Sequence, residues 1–284
     1  MTFRHVRRSR SRRRTGALAL LALAATLPAA AVATPAGAVD IAPHRALYSM
    51  TLGSTKTNSG VVGARGTMIY EWGETCDGWT VEQRYKLNMQ YAENPEVEVT
   101  SNFVTWESKD GLRYRFNERK LKNGEVDEEV RGEARLDGPG KAGVADFSRP
   151  EAKQLKLPAG TMFPTAHTIY LIERAQAGES FLVKNVFDGS GEDNAVEISA
   201  VIGGKEEAEP VASSAEPKSP LLKRPSWRVR FAFFPSESNS EKPEYELGMR
   251  LLDNGVSRDM TLDYGDFAIR AKLDEIEALP KPNC

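Results

Sequence analysis

Two of the three histidines in this 284-residue chain, His44 and His167, lie outside its basic N-terminal segment. Histidine is the side chain best suited to proton transfer near neutral pH. His167 falls near the start of a predicted helix, where it could act as a base or a metal ligand, and His44 falls at the start of the first predicted strand. No motif around either residue supplies a catalytic partner. We therefore expect His167 to be a structural histidine whose hydrogen bonds are satisfied.

A serine and several carboxylates are the other candidate groups. Gly189-Ser190-Gly191 has part of the pattern of a nucleophile elbow, but that motif needs a second glycine at a fixed spacing between a strand and a helix. We therefore predict a hairpin loop. Residues 188–193 include three acidic side chains. However, Gly191 stands where a calcium loop needs an oxygen ligand, and no glutamate closes the pattern, so we expect a solvated turn.

Four acidic residues after the Asn123-Gly124 turn could provide the paired carboxylates of a glycoside hydrolase. They are Glu125, Asp127, Glu128 and Glu129. This position is more typical of the exposed edge of a β-hairpin, where charge opposes aggregation. Two cysteines, with two histidines outside the N-terminal segment, are too few for the usual Cys/His zinc site. We predict no catalytic, cofactor-binding or metal-binding residue and no enzyme activity.

The elements that would position these groups are mostly strands. Apolar and polar residues alternate over 81–91, which predicts a long strand with one buried face. The same period recurs in further segments, at 112–116, 227–233, 245–251 and 267–273. Turn dipeptides such as Asp77-Gly78 and Asn254-Gly255 separate the strands. The chain is therefore predicted to be all-β dominated, with one long, meandering antiparallel sheet.

One segment lacks the period of two. Residues 163–177 carry apolar side chains at helical spacing, with Pro164 in the first turn and Gly178 just beyond the end, which predicts one principal helix. A helix of this length extends about 22 Å, which is short beside a long sheet with one apolar face. We expect the helix to cover the concave face, and the sheet either to curl on itself or to leave part of that face open.

The N-terminal segment has the order of a secretory signal peptide. Seven arginines and no acidic residue precede Val39, the apolar run at 16–27 is too short to span a bilayer, and Ala36-Gly37-Ala38 is the best cleavage signal. We predict that residues 1–38 are removed after Ala38 and that the mature chain begins at Val39 in the periplasm. An uncleaved N-terminal anchor is the alternative. Both the general secretory and the twin-arginine routes stay open.

We predict that the mature chain, residues 39–284, forms a single domain. Seven of the 38 basic side chains lie in the leader, so 31 remain against 40 acidic ones. This balance excludes nucleic acid as a partner, because little positive charge is left to neutralise phosphates. Residues 203–225 are rich in proline, serine and charge without any period, which predicts a flexible insertion between two strands. A domain boundary there is the alternative.

Cys76 and Cys284 are the only cysteines. Free thiols are disfavoured in the oxidising compartment that the leader indicates. We therefore predict a disulfide between Cys76 and Cys284, with two unpaired structural cysteines as the alternative. The chain has no Cys-x-x-Cys motif that would favour a redox-active pair.

The aromatic side chains concentrate on the alternating strands. The chain has eleven phenylalanines, eight tyrosines and four tryptophans, Trp72, Trp79, Trp106 and Trp227. Most are expected in the core. The alternative is an apolar concavity that binds a lipid, a peptide or a partner helix.

Three stretches together resemble one known family. They are 75–81 with Cys76-Asp77-Gly78-Trp79, 157–167 with Gly160-Thr161 and Phe163-Pro164, and 253–267 with Asp253-Asn254-Gly255 and Asp263-Tyr264-Gly265, followed by the terminal cysteine. They are similar to the EipB family of cell envelope integrity proteins, periplasmic proteins of Alphaproteobacteria, over about 41–284. The resemblance implies a β-spiral or open barrel with a helix on its concave side, somewhat like lipoprotein-carrier folds. It also implies a disulfide between Cys76 and Cys284, and it assigns no catalytic residue.

These observations lead us to expect a non-enzymatic periplasmic protein that maintains the cell envelope. It would act through a partner protein or through an apolar ligand bound in the concavity of the sheet. The alternatives are a periplasmic hydrolase acting on glycans and, by fold analogy alone, a lipid or lipoprotein carrier. The sequence has no nucleophile–base pair or close carboxylate pair in a recognisable motif, which favours the first hypothesis.

Overall fold

The computed structural model describes residues 39–57, 59–191, 195–208, 217–234 and 242–284. The predicted leader and Ala38 at its cleavage site lie outside the described residues, as do Glu192 and Asp193 of the acidic turn. In the described ranges, no helix is long and apolar enough to cross a membrane.

Fourteen strands and one α-helix make up most of the described chain. The strands before the helix are β1 (His44–Thr55), β2 (Val61–Glu74), β3 (Gly78–Tyr91), β4 (Val97–Ser108), β5 (Arg113–Lys122), β6 (Glu125–Leu136), β7 (Gly143–Arg149) and β8 (Lys153–Leu157). The helix is α1 (Pro164–Gln176). The strands after it are β9 (Phe181–Val186), β10 (Val196–Glu206), β11 (Ser226–Phe234), β12 (Tyr245–Leu252), β13 (Ser257–Asp263) and β14 (Phe267–Ala278).

All of these strands form one sheet, in the order β8-β7-β6-β5-β4-β3-β2-β1-β14-β13-β12-β11-β10-β9. Neighbouring strands are antiparallel, as predicted. The first and last strands of the chain, β1 and β14, pair in the centre of the sheet. The sheet extends from this pair as two arms, β1–β8 and β9–β14. Its free edges are β8 and β9, and α1 connects them along the chain.

The sheet curls around α1. Leu171 and Ile172 of the helix are buried in one apolar cluster. That cluster also contains Trp72 and Trp79 from the first arm, and Trp227 from the second arm. Strands so far apart in the sheet order can contact one helix only if the sheet curves around it. Because β8 and β9 are not paired with each other, the sheet stays open. The predicted curled, open sheet with a helix on its concave side is confirmed.

Helix α1 begins and ends within one residue of the predicted 163–177. Pro164 occupies its first turn, where the fixed φ of proline suits a helix start. Gly178 follows with a φ of 83°, a left-handed conformation that glycine adopts without steric cost. The N-cap residue is Phe163, and its side chain makes no capping hydrogen bond. The helix start therefore needs an acceptor from another element.

Cys76 and Cys284 form the predicted disulfide, with their Cα atoms 5.7 Å apart. Cys76 lies in the turn between β2 and β3, and Cys284 is the last residue of the chain. Beyond β14, the backbone N–H of Leu279 donates to the carbonyl oxygen of Pro43 at 2.9 Å. The disulfide and this hydrogen bond thus fasten the C-terminal tail to the first arm.

The predicted bounds of the insertion, 203–225, are too wide at both ends. Residues 203–206 belong to β10, and the Glu206 carboxylate there accepts a hydrogen bond from Arg228 of β11 at 2.9 Å. Near the other end, a short 3₁₀ helix at Pro220–Leu222 buries the Leu222 side chain. A cross-strand ion pair and a buried leucine therefore order residues whose composition alone indicated a loop. Residues 209–216 lie outside the described part.

Candidate functional site

The concave side of the sheet encloses a cavity of about 350 Å³. Small-molecule pockets have volumes of about 300–1,000 Å³, so the cavity could hold a small ligand. Helix α1 and strands of both arms form its wall. Most wall side chains are aliphatic or aromatic, among them Tyr48, Met68, Tyr70, Trp72, Val81, Phe103, Tyr114, Leu171, Val186, Ile198, Phe231, Phe233, Tyr245, Leu247, Met249, Leu251, Met260 and Leu262. The aromatic residues of the alternating strands thus form both a core and an apolar concavity.

Glu107 of β4 caps the N-terminus of α1. Its Oε2 accepts a hydrogen bond from the backbone N–H of Thr165 at 2.7 Å, and its Oε1 accepts one from that of Ala166 at 2.8 Å. The first N–H groups of a helix have no partner within the helix, and its dipole favours a negative charge there. Glu107 therefore fixes the start of α1, and with it the wall residues His167 and Thr168.

Burial raises the pKa of Glu107 to about 7, although the N–H groups of Ala166 and Thr165 and the Thr165 side chain stabilise its charged form. The carboxyl side chain is only 2% exposed. Glu107 is absent from the predicted functional residues, because a charged residue in an alternating strand suggests the solvent face. Phe103 and Thr105, which occupy the alternate positions before Glu107 in β4, both line the cavity. This spacing is the signal that places Glu107 on the inner face of the sheet.

His167 lies on α1 as predicted, but the prediction that all of its hydrogen bonds are satisfied is wrong. The side chain is buried in the cavity wall, and its Nε2 has no hydrogen-bond partner in the described part of the chain. Burial, with a smaller contribution from the charge of Lys184, lowers the pKa of His167 to about 4. The ring is therefore neutral at neutral pH.

His44 lines the same cavity from β1. Its Nδ1 lies 2.7 Å from the carbonyl oxygen of Ala42, and because a carbonyl can only accept, Nδ1 carries the hydrogen. Burial lowers the pKa of His44, although this hydrogen bond opposes the shift. The fold thus places His44 and His167 on the wall of one cavity, which the sequence did not predict.

The four tryptophans occupy different environments. Trp72 lines the cavity, and its Nε1 is buried without a partner among the described residues. Trp79 and Trp227 belong to the apolar cluster around α1, and Lys109 lies over the Trp79 ring. Trp106 contacts the guanidinium of Arg115, 5.0 Å from its ring centroid. Trp72 is therefore the tryptophan with an unused hydrogen-bond donor at the cavity.

A row of aromatic rings leads from the cavity wall toward solvent. Phe233 and Tyr245 line the cavity and stack with their centroids 4.1 Å apart. Tyr264 follows at 6.0 Å from Tyr245, and Phe267 lies 5.1 Å beyond it. Tyr264 is 45% exposed. The aromatic row, Phe233–Tyr245–Tyr264–Phe267, joins the cavity to the surface.

The other predicted candidates lie in turns and hairpins, and most of them face solvent. Asp188 Oδ1 accepts hydrogen bonds from the N–H and the hydroxyl of Ser190, at 3.0 and 2.9 Å, which closes the predicted turn. Glu125, Asp127 and Glu129 are exposed on the β5–β6 hairpin, as predicted. Asp188 also lines the cavity, which the sequence analysis did not predict.

The acidic cluster and the two histidines do not assemble into a metal site. Among the described residues, there is no group of three or more His, Cys, Asp or Glu side chains that could hold a metal ion. Glu128 instead accepts a hydrogen bond from Lys120 at 2.7 Å.

The fold and the site define a protein in which one curled antiparallel sheet, closed on its concave side by a helix, encloses an apolar cavity. The model of the EipB-like family matches residues 35–280. The chain belongs to this family, and the resemblance found in its sequence is confirmed.

A sequence match and a structure match, both to Brucella abortus, cover most of the chain. The cell envelope integrity protein EipB of strain 2308 is 35% identical over 250 residues, which cover 87% of this chain and 88% of that protein. The crystal structure of a β-barrel-like protein of a domain of unknown function superposes with a TM-score of 0.78 and 33% identity. That comparison covers 86% of this chain and all of the other.

Proposed function

We propose that this chain maintains the integrity of the cell envelope from the periplasm, by binding an apolar ligand in its cavity and without catalysing a reaction. The cavity carries the proposal, because its apolar wall draws on both arms of the sheet and on α1. A concave cavity of this size surrounds a small molecule on several sides, which favours a bound ligand over a docked protein as occupant. The name of the Brucella relative supports the role in the envelope.

Two features support the periplasmic location. The N-terminal segment has the three features of a signal peptide, namely positive charge, an apolar run and small residues just before Val39. The disulfide between Cys76 and Cys284 is a bond that persists in oxidising compartments.

The state of the ionisable groups supports binding over catalysis. Both carboxylate oxygens of Glu107 accept backbone hydrogen bonds at the helix start. His44 donates to a backbone carbonyl, and the low pKa of His167 makes it a weak base at neutral pH. The carboxylates proposed for a glycan hydrolase, such as Glu125 and Asp127, lie on an exposed hairpin away from the cavity wall.

Filling part of the cavity should weaken binding. Thr168 of α1 lines the cavity, and its hydroxyl donates to the carbonyl oxygen of Pro164 within the helix. The mature protein should bind the apolar fluorophore 1,6-diphenylhexatriene in a saturable fluorescence titration. Thr168→Trp should weaken this binding by at least about tenfold, because the larger ring occupies ligand space. Thr168→Val is the matched control and should bind like the wild type. Absence of saturable binding, or equal binding by both variants, would contradict the proposal.

The same pair of variants tests the role in the cell. A null mutant should be sensitised to detergents and to cell-wall antibiotics. At matched protein abundance, Thr168→Val should restore resistance and Thr168→Trp should not. Ser190→Ala and Asp127→Asn should restore it fully, since a binding protein tolerates most single polar changes away from its site. A stable Ser190→Ala or Asp127→Asn protein that behaves as a null would instead support an enzyme.

A further inference from the structure

Five exposed arginines lie on the convex face of the sheet, which is the face opposite the cavity. They are Arg113 and Arg115 of β5, Arg131 and Arg135 of β6, and Arg149 of β7. Tyr114, between the two arginines of β5, lines the cavity, and successive side chains of a strand point to opposite faces. The predicted mature chain has more acidic than basic side chains, so these five residues, the arginine patch, concentrate positive charge locally.

The strand register opposes like charges within the arginine patch. Arg113 is directly opposite Arg135 across β5 and β6, and Arg131 is directly opposite Arg149 across β6 and β7. Residues at opposed positions share a face of the sheet, and like charges there destabilise the pairing. A bound anion would relieve this repulsion.

Carboxylates neutralise only part of the arginine patch. Arg135 forms an ion pair with Asp146 of β7 at 2.8 Å. Glu133 of β6 is directly opposite Arg115 in the register. In the described part of the chain, however, neither Arg115 nor Arg131 forms an ion pair. Their two guanidinium groups are therefore available to a ligand.

Arg115 and Arg131 line an open pocket of about 700 Å³ on this face, together with Asn117 of β5. Asn117 is directly opposite Arg131 and two residues beyond Arg115. Opposed Cβ atoms are about 5 Å apart, and alternate residues of one strand are about 7 Å apart. The long arginine side chains can bridge these spacings, so both guanidinium groups and the Asn117 amide can reach one group of a ligand.

Trp106 of β4 orients the Arg115 guanidinium at the pocket. The two residues are directly opposed, and the guanidinium carbon lies 5.0 Å from the centroid of the indole ring. An aromatic face attracts a guanidinium group that stacks on it, while the N–H groups at the edge of the guanidinium can still donate. Trp106 also lines the pocket. The ring therefore restrains Arg115 before any ligand arrives.

The donors of this pocket fit an oxyanion. A guanidinium group has no acceptor, and its planar fork of N–H groups matches two oxygens of a carboxylate or a phosphate. The pocket is within the size range of small-molecule sites, so it can hold more than the oxyanion itself. We propose that it is a second binding site, for a small ligand whose phosphate or carboxylate group is held by Arg115, Arg131 and Asn117. This site goes beyond the proposed function, because the apolar cavity lies on the other face of the sheet.

Three probes that share one aromatic ring test the need for an anion, namely phenyl phosphate, benzoate and phenol. Each is titrated into the isotope-labelled mature protein, and NMR follows the backbone amides of β5 and β6 and the arginine side-chain N–H groups. At least one anion should bind saturably and at least about tenfold more tightly than phenol, because hydrogen bonds between charged groups are the stronger ones. The tighter anion identifies phosphate or carboxylate as the ligand group. Absence of saturable anion binding, or an equal affinity for phenol, would overturn the inference.

Variants of the pocket should change the affinity for that anion in opposite directions. Arg115→Gln and Arg131→Gln should each weaken binding by about tenfold, since each removes a charged donor. Glu133→Gln should strengthen binding by about threefold, because the Glu133 carboxylate lines the pocket and repels an anion. Arg230→Gln is the matched control, because Arg230 is also an exposed arginine of a strand but lies on β11, outside the pocket. Its affinity should equal that of the wild type.

A loss in Arg230→Gln equal to that in the pocket variants would mean that the anion responds only to net charge, and the inference would be wrong. An unchanged affinity in folded Arg115→Gln and Arg131→Gln would also overturn it. If an arginine variant does not fold, Glu133→Gln and the wild-type preference for an anion over phenol still decide. Diphenylhexatriene binding should be the same in Arg115→Gln and the wild type, so the apolar cavity and this pocket are tested separately.

Discussion

Replacement of both Cys76 and Cys284 by serine should lower the melting temperature of the mature protein by about 10 °C. The disulfide joins residues separated by 208 positions. In the chain-entropy model, closing so long a loop in the unfolded chain contributes roughly 3 to 5 kcal/mol, and a domain of this size loses about 2–4 °C for each kcal/mol. The effect is large because the loop that the bond closes spans most of the predicted mature chain.

Thermal unfolding followed by circular dichroism under non-reducing conditions measures this difference. The wild type with a strong reductant should melt like the serine variant, and the serine variant itself should not respond to the reductant. If the denatured, unreduced wild type reacts with two equivalents of a thiol reagent, the bond is absent in solution and the prediction is wrong.

Substitution of Glu107 should have the second large effect, and that effect should depend on pH. Glu107→Gln keeps the size of the side chain but replaces one carboxylate oxygen by an amide N–H₂ group. That group cannot accept the hydrogen bond that the backbone N–H of Thr165 or Ala166 donates to the carboxylate. One buried N–H is then unpaired, which costs about 1–3 kcal/mol. The start of α1 should loosen.

The pH dependence follows from the raised pKa of Glu107, which burial brings to about 7 from an ordinary value of 4.5. The folded protein therefore binds this proton more tightly than the unfolded chain does. The resulting stability is fully present below pH 4.5 and is lost as the pH rises through 7. Between pH 5 and pH 8 the wild type should lose about 2 to 3 kcal/mol through this group, and Glu107→Gln should lose none of it.

The free energies of unfolding of wild type and Glu107→Gln, from urea titrations at pH 5 and pH 8, test both parts. The other titrating groups are common to the two proteins, so their contributions cancel in the difference. The destabilisation by Glu107→Gln should shrink as the pH rises. A difference that stays constant over this range would mean that Glu107 titrates alike in the folded and unfolded chains.

The elements themselves could be predicted because their signals are local. In β3, Met89 is buried while Arg84 and Lys86 are exposed, so the alternation in the sequence reflects the two faces of the strand. Pro164 and Gly178 mark the ends of α1 through their own backbone preferences. The disulfide could be predicted because the chain has two cysteines and its leader indicates an oxidising compartment.

The site was less predictable because long-range pairing assembles it. A meandering sheet predicts that β1 pairs with β2, but nothing in the local sequence of β1 indicates that its other neighbour is β14. The position of His44 and His167 on the wall of one cavity could therefore not be predicted. Glu107 was missed because a buried carboxylate in a strand depends on a helix start that arrives from elsewhere. The ends of the insertion were misjudged because Glu206 and Leu222 gain their partners only in the folded state.

The central pairing of β1 with β14 also determines when the molecule can be completed. Each arm consists of strands that pair with sequence neighbours, so its hairpins can form early. Joining the arms needs pairs as distant as His44 with Ala278, and such non-local pairing is slow. The last strand, β14, therefore has to be synthesised before β1 can pair on its second edge. Since strands β12 and β13 of the second arm supply wall residues as late in the chain as Leu262, a nascent chain that ends before β13 cannot contain the complete wall of the cavity.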